Sequence, residues 1–339
     1  MKLSTKIIFI LFAAFIIGIF LWAVYSPKDK LSYRISKTLK EQEKKADLAF
    51  KEVTFEEVVA GIKYWQLQAK TAAINNSTQI ATLKETHGTF FKNGRPVLRF
   101  RSPVALWDMK EKEILLDQPI GYDVKLESKI SALLRKLETF PSSVFNLPEL
   151  SQKNPGYWFQ AKNLSWRLAD EKLLCTGGIV LNKGEMTGFA QQLESDVGME
   201  NVTLSGQPRF IINPKDSSLI TLEANTLKVI SASDELLAQG NPRITWQTAK
   251  IFATNMTYSQ RDKTLHLKDR VRVNYNDIQA IGNYATYYTL EEKIVLAGRA
   301  QASQAGNSLS GDEVMVSLKD KRIAVIGKGK VIINEEEIK

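Results

Sequence analysis

A single fixed period runs through the second half of this chain without losing phase, and it constrains the fold more than any motif does. Gly240, Asp269, Gly298 and Gly327 follow one another at one constant interval, and Ala224, Ala253, Gly282 and Gly311 repeat at the same interval. Each member of the second series precedes one of the first by the same shorter step. The pairing extends backwards as Ala190 with Gly206, Ala161 with Gly177, Arg101 with Asp117, and Ala69 with Glu85. A fixed period of this size predicts a stack of similar supersecondary units. Such a stack presents a long surface rather than a compact catalytic pocket.

Within a unit the residues alternate. Leu265, Leu267, Asp269, Val271 and Val273 fall on one face, and His266, Lys268, Arg270, Arg272 and Asn274 on the other. Strict period two, with one apolar and one cationic-polar face, predicts a half-buried strand. Ile294, Leu296, Gly298, Ala300 and Ala302 repeat the register, as do Ile323, Val325, Gly327, Gly329 and Val331. Polar turns recur at Ser233-Asp234-Glu235, Glu291-Glu292-Lys293 and Lys319-Asp320-Lys321. Stacked units give two facing sheets with their apolar registers turned inward. The recurrent glycine is expected on that inward register, where sheets approach closely or a strand bends. Asp117 and Asp269 share its position.

The repeat is interrupted once, by a gap of about two periods between Arg101 and Ala161. Val124 to Glu138 reads as an amphipathic helix there, with Ile130, Leu133, Leu134 and Leu137 along one face and Pro141 closing it. At the N-terminus, Ile7 to Tyr25 form 19 residues without a charge, enough to cross a hydrocarbon core of roughly 30 Å. The run is longer than a usual signal-peptide core, so an uncleaved anchor is expected, with Ile7, Phe15, Trp22 and Tyr25 in the membrane. The count of flanking lysines and arginines leaves its orientation open.

The sequence therefore predicts an all-β chain of about eight two-strand repeats, with an N-terminal transmembrane helix and one inserted amphipathic helix. The expected divisions are an anchor (1–27), a charged stalk (28–52), a β unit (53–123), a helical insertion (124–155), a β array (156–334) and a tail (335–339).

Catalytic constellations are missing from the sequence. It contains no nucleophile elbow, phosphate loop, dinucleotide fingerprint or zinc-protease helix. Cys175 stands alone, and His87 and His266 lie far apart, so no disulfide, metal site or cofactor is expected. The chain reads as a non-enzyme. Its net charge of +9 favours an anionic partner, which by charge alone could be a nucleic acid, a lipid headgroup or an acidic glycan; of these, a nucleic acid is not the expected one.

An N-terminal anchor followed by Gly61 to Ala69 (G-x-x-x-W-x-L-x-A) and Gly88 to Gly94 around Phe90-Phe91 resembles the lipopolysaccharide export family LptC. Lys293 to Gly298 and Gly311 to Val314 resemble the OstA-like repeat of the periplasmic bridge protein LptA. Length is the departure, because a usual LptC has a single shorter β unit.

The resemblance implies an open twisted β-jelly roll, or β-taco, at the inner membrane with the bulk of the chain in the periplasm. It implies that lipopolysaccharide arrives from an inner-membrane Lpt ABC transporter complex into an apolar groove. Exposing one 14-carbon acyl chain to water costs on the order of 10 kcal/mol, which a continuous trough removes. The groove lining is expected at Phe210, Ile244, Tyr258, Leu267, Val271, Tyr287, Leu296 and Val325. The last strand, through Val331, Ile332 and Ile333, is expected to pair edge to edge with another OstA-like domain. The outward cations Arg243, Lys268, Arg270, Arg272, Arg299, Lys328 and Lys330 are placed to accompany phosphorylated headgroups. The rival reading is a membrane-anchored scaffold or adhesin with a filled β core and no lipid.

Overall fold

The computed structural model describes residues 30–42, 46–126, 156–213 and 218–333. The stretch 7–25, with Ile7, Phe15, Trp22 and Tyr25, lies outside them, as do Ile130, Leu133, Leu134, Leu137 and the tail. Of the expected insertion, Val124–Leu126 forms a 3-10 turn. Among the described residues, no helix is long and apolar enough to cross a membrane.

One α-helix and 23 strands make up most of the described chain. Helix α1 (Lys30–Gln42) precedes four long strands, β1 (Leu48–Val59), β2 (Ile62–Asn75), β3 (Ile80–Lys92) and β4 (Arg95–Asp108). Short strands follow: β5 (Glu113–Asp117), β6 (Ile120–Asp123), β7 (Tyr157–Gln160) and β8 (Asn163–Arg167). Two long strands come next, β9 (Lys172–Lys183) and β10 (Met186–Asp196). Then come β11 (Asn201–Ser205), β12 (Arg209–Ile212), β13 (Ile220–Glu223), β14 (Thr226–Ile230) and β15 (Glu235–Gln239). The series continues with β16 (Arg243–Trp246), β17 (Ala249–Phe252) and β18 (Asn255–Ser259). It ends in long strands again: β19 (Thr264–Tyr275), β20 (Ile278–Tyr288), β21 (Lys293–Gln304), β22 (Asn307–Ser317) and β23 (Arg322–Ile332).

Every pairing is antiparallel, and long and short strands obey one plan. Strand β4 gives Val104–Asp108 to β5 and Leu98–Arg101 to β6. Strand β19 likewise gives Thr264–Lys268 to β18 and Arg272–Asn274 to β17. Each long strand thus crosses from one half-sheet to the other through a corner, and each short pair is a long strand broken there. The first half-sheet contains β5, β8, β11, β14, β15 and β18; the second contains β6, β7, β12, β13, β16 and β17. Pairing of β5 with β8 and of β6 with β7 carries the stack across the insertion without a break.

The corner gives the repeat its physical meaning. Gly240, Asp269, Gly298 and Gly327 all have left-handed backbone, with φ of 76°, 63°, 69° and 84°. In most units the next residue does too, as at Asn241, Arg270 and Arg299. Two consecutive left-handed residues turn the strand and consume the extra residues, so the apolar register resumes in phase beyond the bend. This corrects the expectation that the glycine position faces inward. Asp269 is exposed and Asp117 is half-buried. Opposite the corner stand Asn225, Thr254, Asn283 and Asp312; Arg270 Nε donates to Thr254 Oγ1 at 3.2 Å, and the Lys328 amide donates to Asp312 Oδ2 at 3.0 Å.

The stalk expectation also changes. Leu31, Ile35 and Leu39, spaced one helical turn apart along α1, pack on Leu106, Leu115 and Leu174 of the first half-sheet's outer face. Strand β1 begins at Leu48, ahead of the expected boundary at Val53. It is an edge strand with most of its first residues exposed, so its charges do not interrupt pairing.

Candidate functional site

Three features carry functional weight: the interior between the half-sheets, the mouth opposite the corners, and the free edge at β23. Alternation directs the interior. Leu265, Leu267, Val271 and Val273 are buried, while His266, Lys268, Arg270, Arg272 and Asn274 are exposed. Of the expected groove residues, Phe210, Ile244, Tyr258, Tyr287 and Leu296 are 0% exposed, Val271 is 1% and Leu267 is 2%. Val325, near the end of the stack, is only partly buried. These residues belong to one continuous core that also contains Trp65, Phe90, Trp166 and Trp246. Along them the interior is filled by the protein's own side chains rather than open, each contributing about 1.5–3 kcal/mol by burial. Trp65, Leu67 and Ala69 of β2 and Phe90 of β3 join the same core.

Polar atoms inside this core are informative. The hydroxyls of Tyr258 and Tyr287 are buried and have no hydrogen-bond partner among the described residues. Burial first, then the nearby Glu185 carboxylate, pushes the Tyr258 phenol up; burial and Glu292 do the same for Tyr287. Tyr275, on the other half-sheet, donates instead to the Leu318 carbonyl at 2.9 Å. Burial alone pushes the Cys175 thiol up, and the side chain is fully enclosed.

At the mouth, hairpin tips of the two half-sheets meet side chain to side chain. Lys112 pairs with Glu57 at 2.9 Å, Lys92 with Glu200 at 2.8 Å, Lys183 with Asp234 at 3.3 Å, and Lys263 with Glu185. Farther along, Tyr275 reaches Leu318 and the Gln304 amide donates to the Lys321 carbonyl at 3.4 Å. These ion pairs are partly exposed, where a pair contributes about 0–1 kcal/mol. The seam is therefore weak link by link. Sequence reasoning misses it, since each pair joins strand ends or turns from well-separated parts of the chain, and only the acids and lysines at and beside the turns hint at it.

Outside the mouth, a cavity of about 490 Å³ lies beside α1, lined by Leu31, Arg34, Glu113, Ser165, Arg167 and others. Arg34 and Arg167 contact the Glu113 carboxylate at 2.7 and 3.5 Å, and Ser165 donates to it at 2.8 Å. Burial pushes that carboxyl up, but the Arg34 hydrogen bond, the Ser165 hydrogen bond and the two guanidinium charges outweigh it and hold it below its usual range. Among the described residues no cluster of His, Cys, Asp and Glu fits a metal ion.

The free edge follows from the strand pairing: among the described residues, β23 pairs with β22 alone. Its end is apolar and open, with Val331, Ile332 and Ile333 at 58%, 54% and 63% exposure. The expected outward cations Arg243, Lys268, Arg270, Arg272, Arg299, Lys328 and Lys330 are all exposed. Arg243 is engaged with Glu223.

Residues 221–322 match the family described as LptA/(LptD N-terminal domain) LPS transport protein. That LptA/LptD-type segment runs from β13 to the start of β23 and includes the corners at Gly240, Asp269 and Gly298. It spans well under half of the chain. Among solved structures, one of LptH is similar, described as the LptA homologous periplasmic component of the conserved lipopolysaccharide transport device from Pseudomonas aeruginosa. It aligns over 36% of this chain and 99% of its own, at 13% identity and a TM-score of 0.32. None of the curated proteins matches the sequence.

Proposed function

We propose that this chain carries lipopolysaccharide across the periplasm, holding acyl chains between its half-sheets. The match of residues 221–322 to the LptA/LptD family carries this reading. In it, residues 7–25 anchor the chain in the inner membrane, an Lpt ABC transporter supplies the lipid, and the LptC-like features at Gly61 to Ala69 mark the receiving end. The β23 edge hands the lipid to another OstA-like domain by strand addition. Transfer of this kind uses differential burial and calls for no catalytic group or cofactor.

The packed interior favours a second reading, a filled β scaffold without cargo. Extraction of the purified chain from cells that make lipopolysaccharide separates the two. Carriage expects lipid A acyl chains in the extract at near-stoichiometric amounts; a scaffold expects none above a control protein.

A further inference from the structure

We infer that the row of bridges across the mouth is a displaceable seam, through which an acyl chain bearing an anionic headgroup passes sideways into the interior. This rests on the carrier reading above. Two boundaries enclose the interior, and they differ in kind. At the corners the half-sheets are joined by continuous backbone, in β1 to β4, β9, β10 and β19 to β23. At the mouth they are joined by side chains: Lys112 to Glu57, Lys92 to Glu200, Lys183 to Asp234 and Lys263 to Glu185. The mouth can part without breaking a ladder hydrogen bond; the corners cannot.

The chemistry behind the seam fits an acylated amphiphile. Tyr258 and Tyr287 occupy equivalent positions of successive repeats and hold buried hydroxyls without partners among the described residues. Tyr258 stands one residue before the end of β18 and Tyr287 one residue before the end of β20, so both lie beside the hairpin tips. An ester or amide carbonyl joining an acyl chain to its headgroup supplies the acceptor those hydroxyls lack. Tyr275, already bonded to Leu318, shows the same side chain satisfied. When the seam parts, Lys183 and Lys263 exchange the carboxylates of Asp234 and Glu185 for anionic groups of the headgroup, so charge pairing is conserved.

The test uses the double variants Lys183→Cys/Asp234→Cys and Glu185→Cys/Lys263→Cys in the full chain. Each is either bridged with a short bifunctional maleimide or capped with N-ethylmaleimide; Cys175 is enclosed and stays unlabelled. The probe is purified lipopolysaccharide, and circular dichroism checks the fold. The bridged forms are expected to capture about ten-fold less lipid than the capped forms, a difference well outside assay scatter. Equal capture by bridged and capped forms overturns the seam and leaves the carrier reading standing. No capture by the wild type removes that reading, and the seam with it. As a second arm, Tyr258→Phe/Tyr287→Phe is expected to weaken lipopolysaccharide capture about five-fold. Dodecyl maltoside, an alkyl chain without a carbonyl linkage, is expected to bind the variant as well as it binds wild type. Equal losses for both probes overturn the assignment of the tyrosines.

Discussion

Arg34 places its guanidinium 2.7 Å from the buried carboxylate of Glu113, and this contact pins α1 to the outer face of the first half-sheet. Leu31, Ile35 and Leu39 supply the apolar part of the same contact. Replacing Arg34 with alanine leaves Glu113 with Arg167 and Ser165. The expected loss is about 1–2 kcal/mol, less than for stripping a fully buried pair because Arg34 is itself partly solvated.

The pH dependence of that contact has a definite sign. Glu113 titrates below its usual range in the folded chain. Its contribution is therefore fully present above the unfolded carboxyl value of about 4.3 and disappears as pH falls through the lower folded value. Thermal melts of wild type and Arg34→Ala are expected to differ at neutral pH and to draw together as the pH falls below the unfolded carboxyl value of about 4.3.

The corner makes opposite forecasts for two positions of the same series. A Cβ at Gly240 would lie 2.7 Å from Asn225 Cβ and would sit on left-handed backbone. Gly240→Ala is expected to cost about 1–3 kcal/mol. Asp269 occupies the equivalent bend with a side chain, so Asp269→Gly is expected to be neutral or stabilising by up to about 1 kcal/mol. Denaturant midpoints with unchanged slopes check both.

Cys175 gives a probe of the core. Fully enclosed, with its thiol pushed up by burial, it is expected to react with iodoacetamide only through unfolding. Labelling rates in increasing urea are expected to follow the global unfolding curve; rapid labelling of the native chain would show a loose interior.

At the free edge, Val331→Lys/Ile333→Lys is expected to leave stability within about 0.5 kcal/mol, as for exposed positions. It is also expected to remove partner capture by a photo-crosslinker at Ile332, since lysines blunt strand addition. Undiminished capture would place the partner contact elsewhere.

The two-sheet plan is legible in the sequence because alternation at residues such as Leu265 to Asn274 is a local signal. The burial of Leu265, Leu267, Val271 and Val273 is legible for the same reason. The recurrent glycines mislead: a residue in phase with Leu267 and Val271 looks inward until the left-handed pair at Asp269 and Arg270 is seen to absorb the bend. The docked helix is hidden because its receiving patch, Leu106, Leu115 and Leu174, is drawn from three strands. The seam is hidden for a similar reason, since Lys263 and Glu185 belong to turns that only the stacking brings together.

The most direct measurement of the central claim is photo-crosslinking to lipopolysaccharide in cells from Leu267 and Leu296, compared with their outward neighbours His266 and Val295. Carriage predicts lipid adducts from the inward pair and few from the outward pair. Equal adducts from both registers, or none from either, would contradict it.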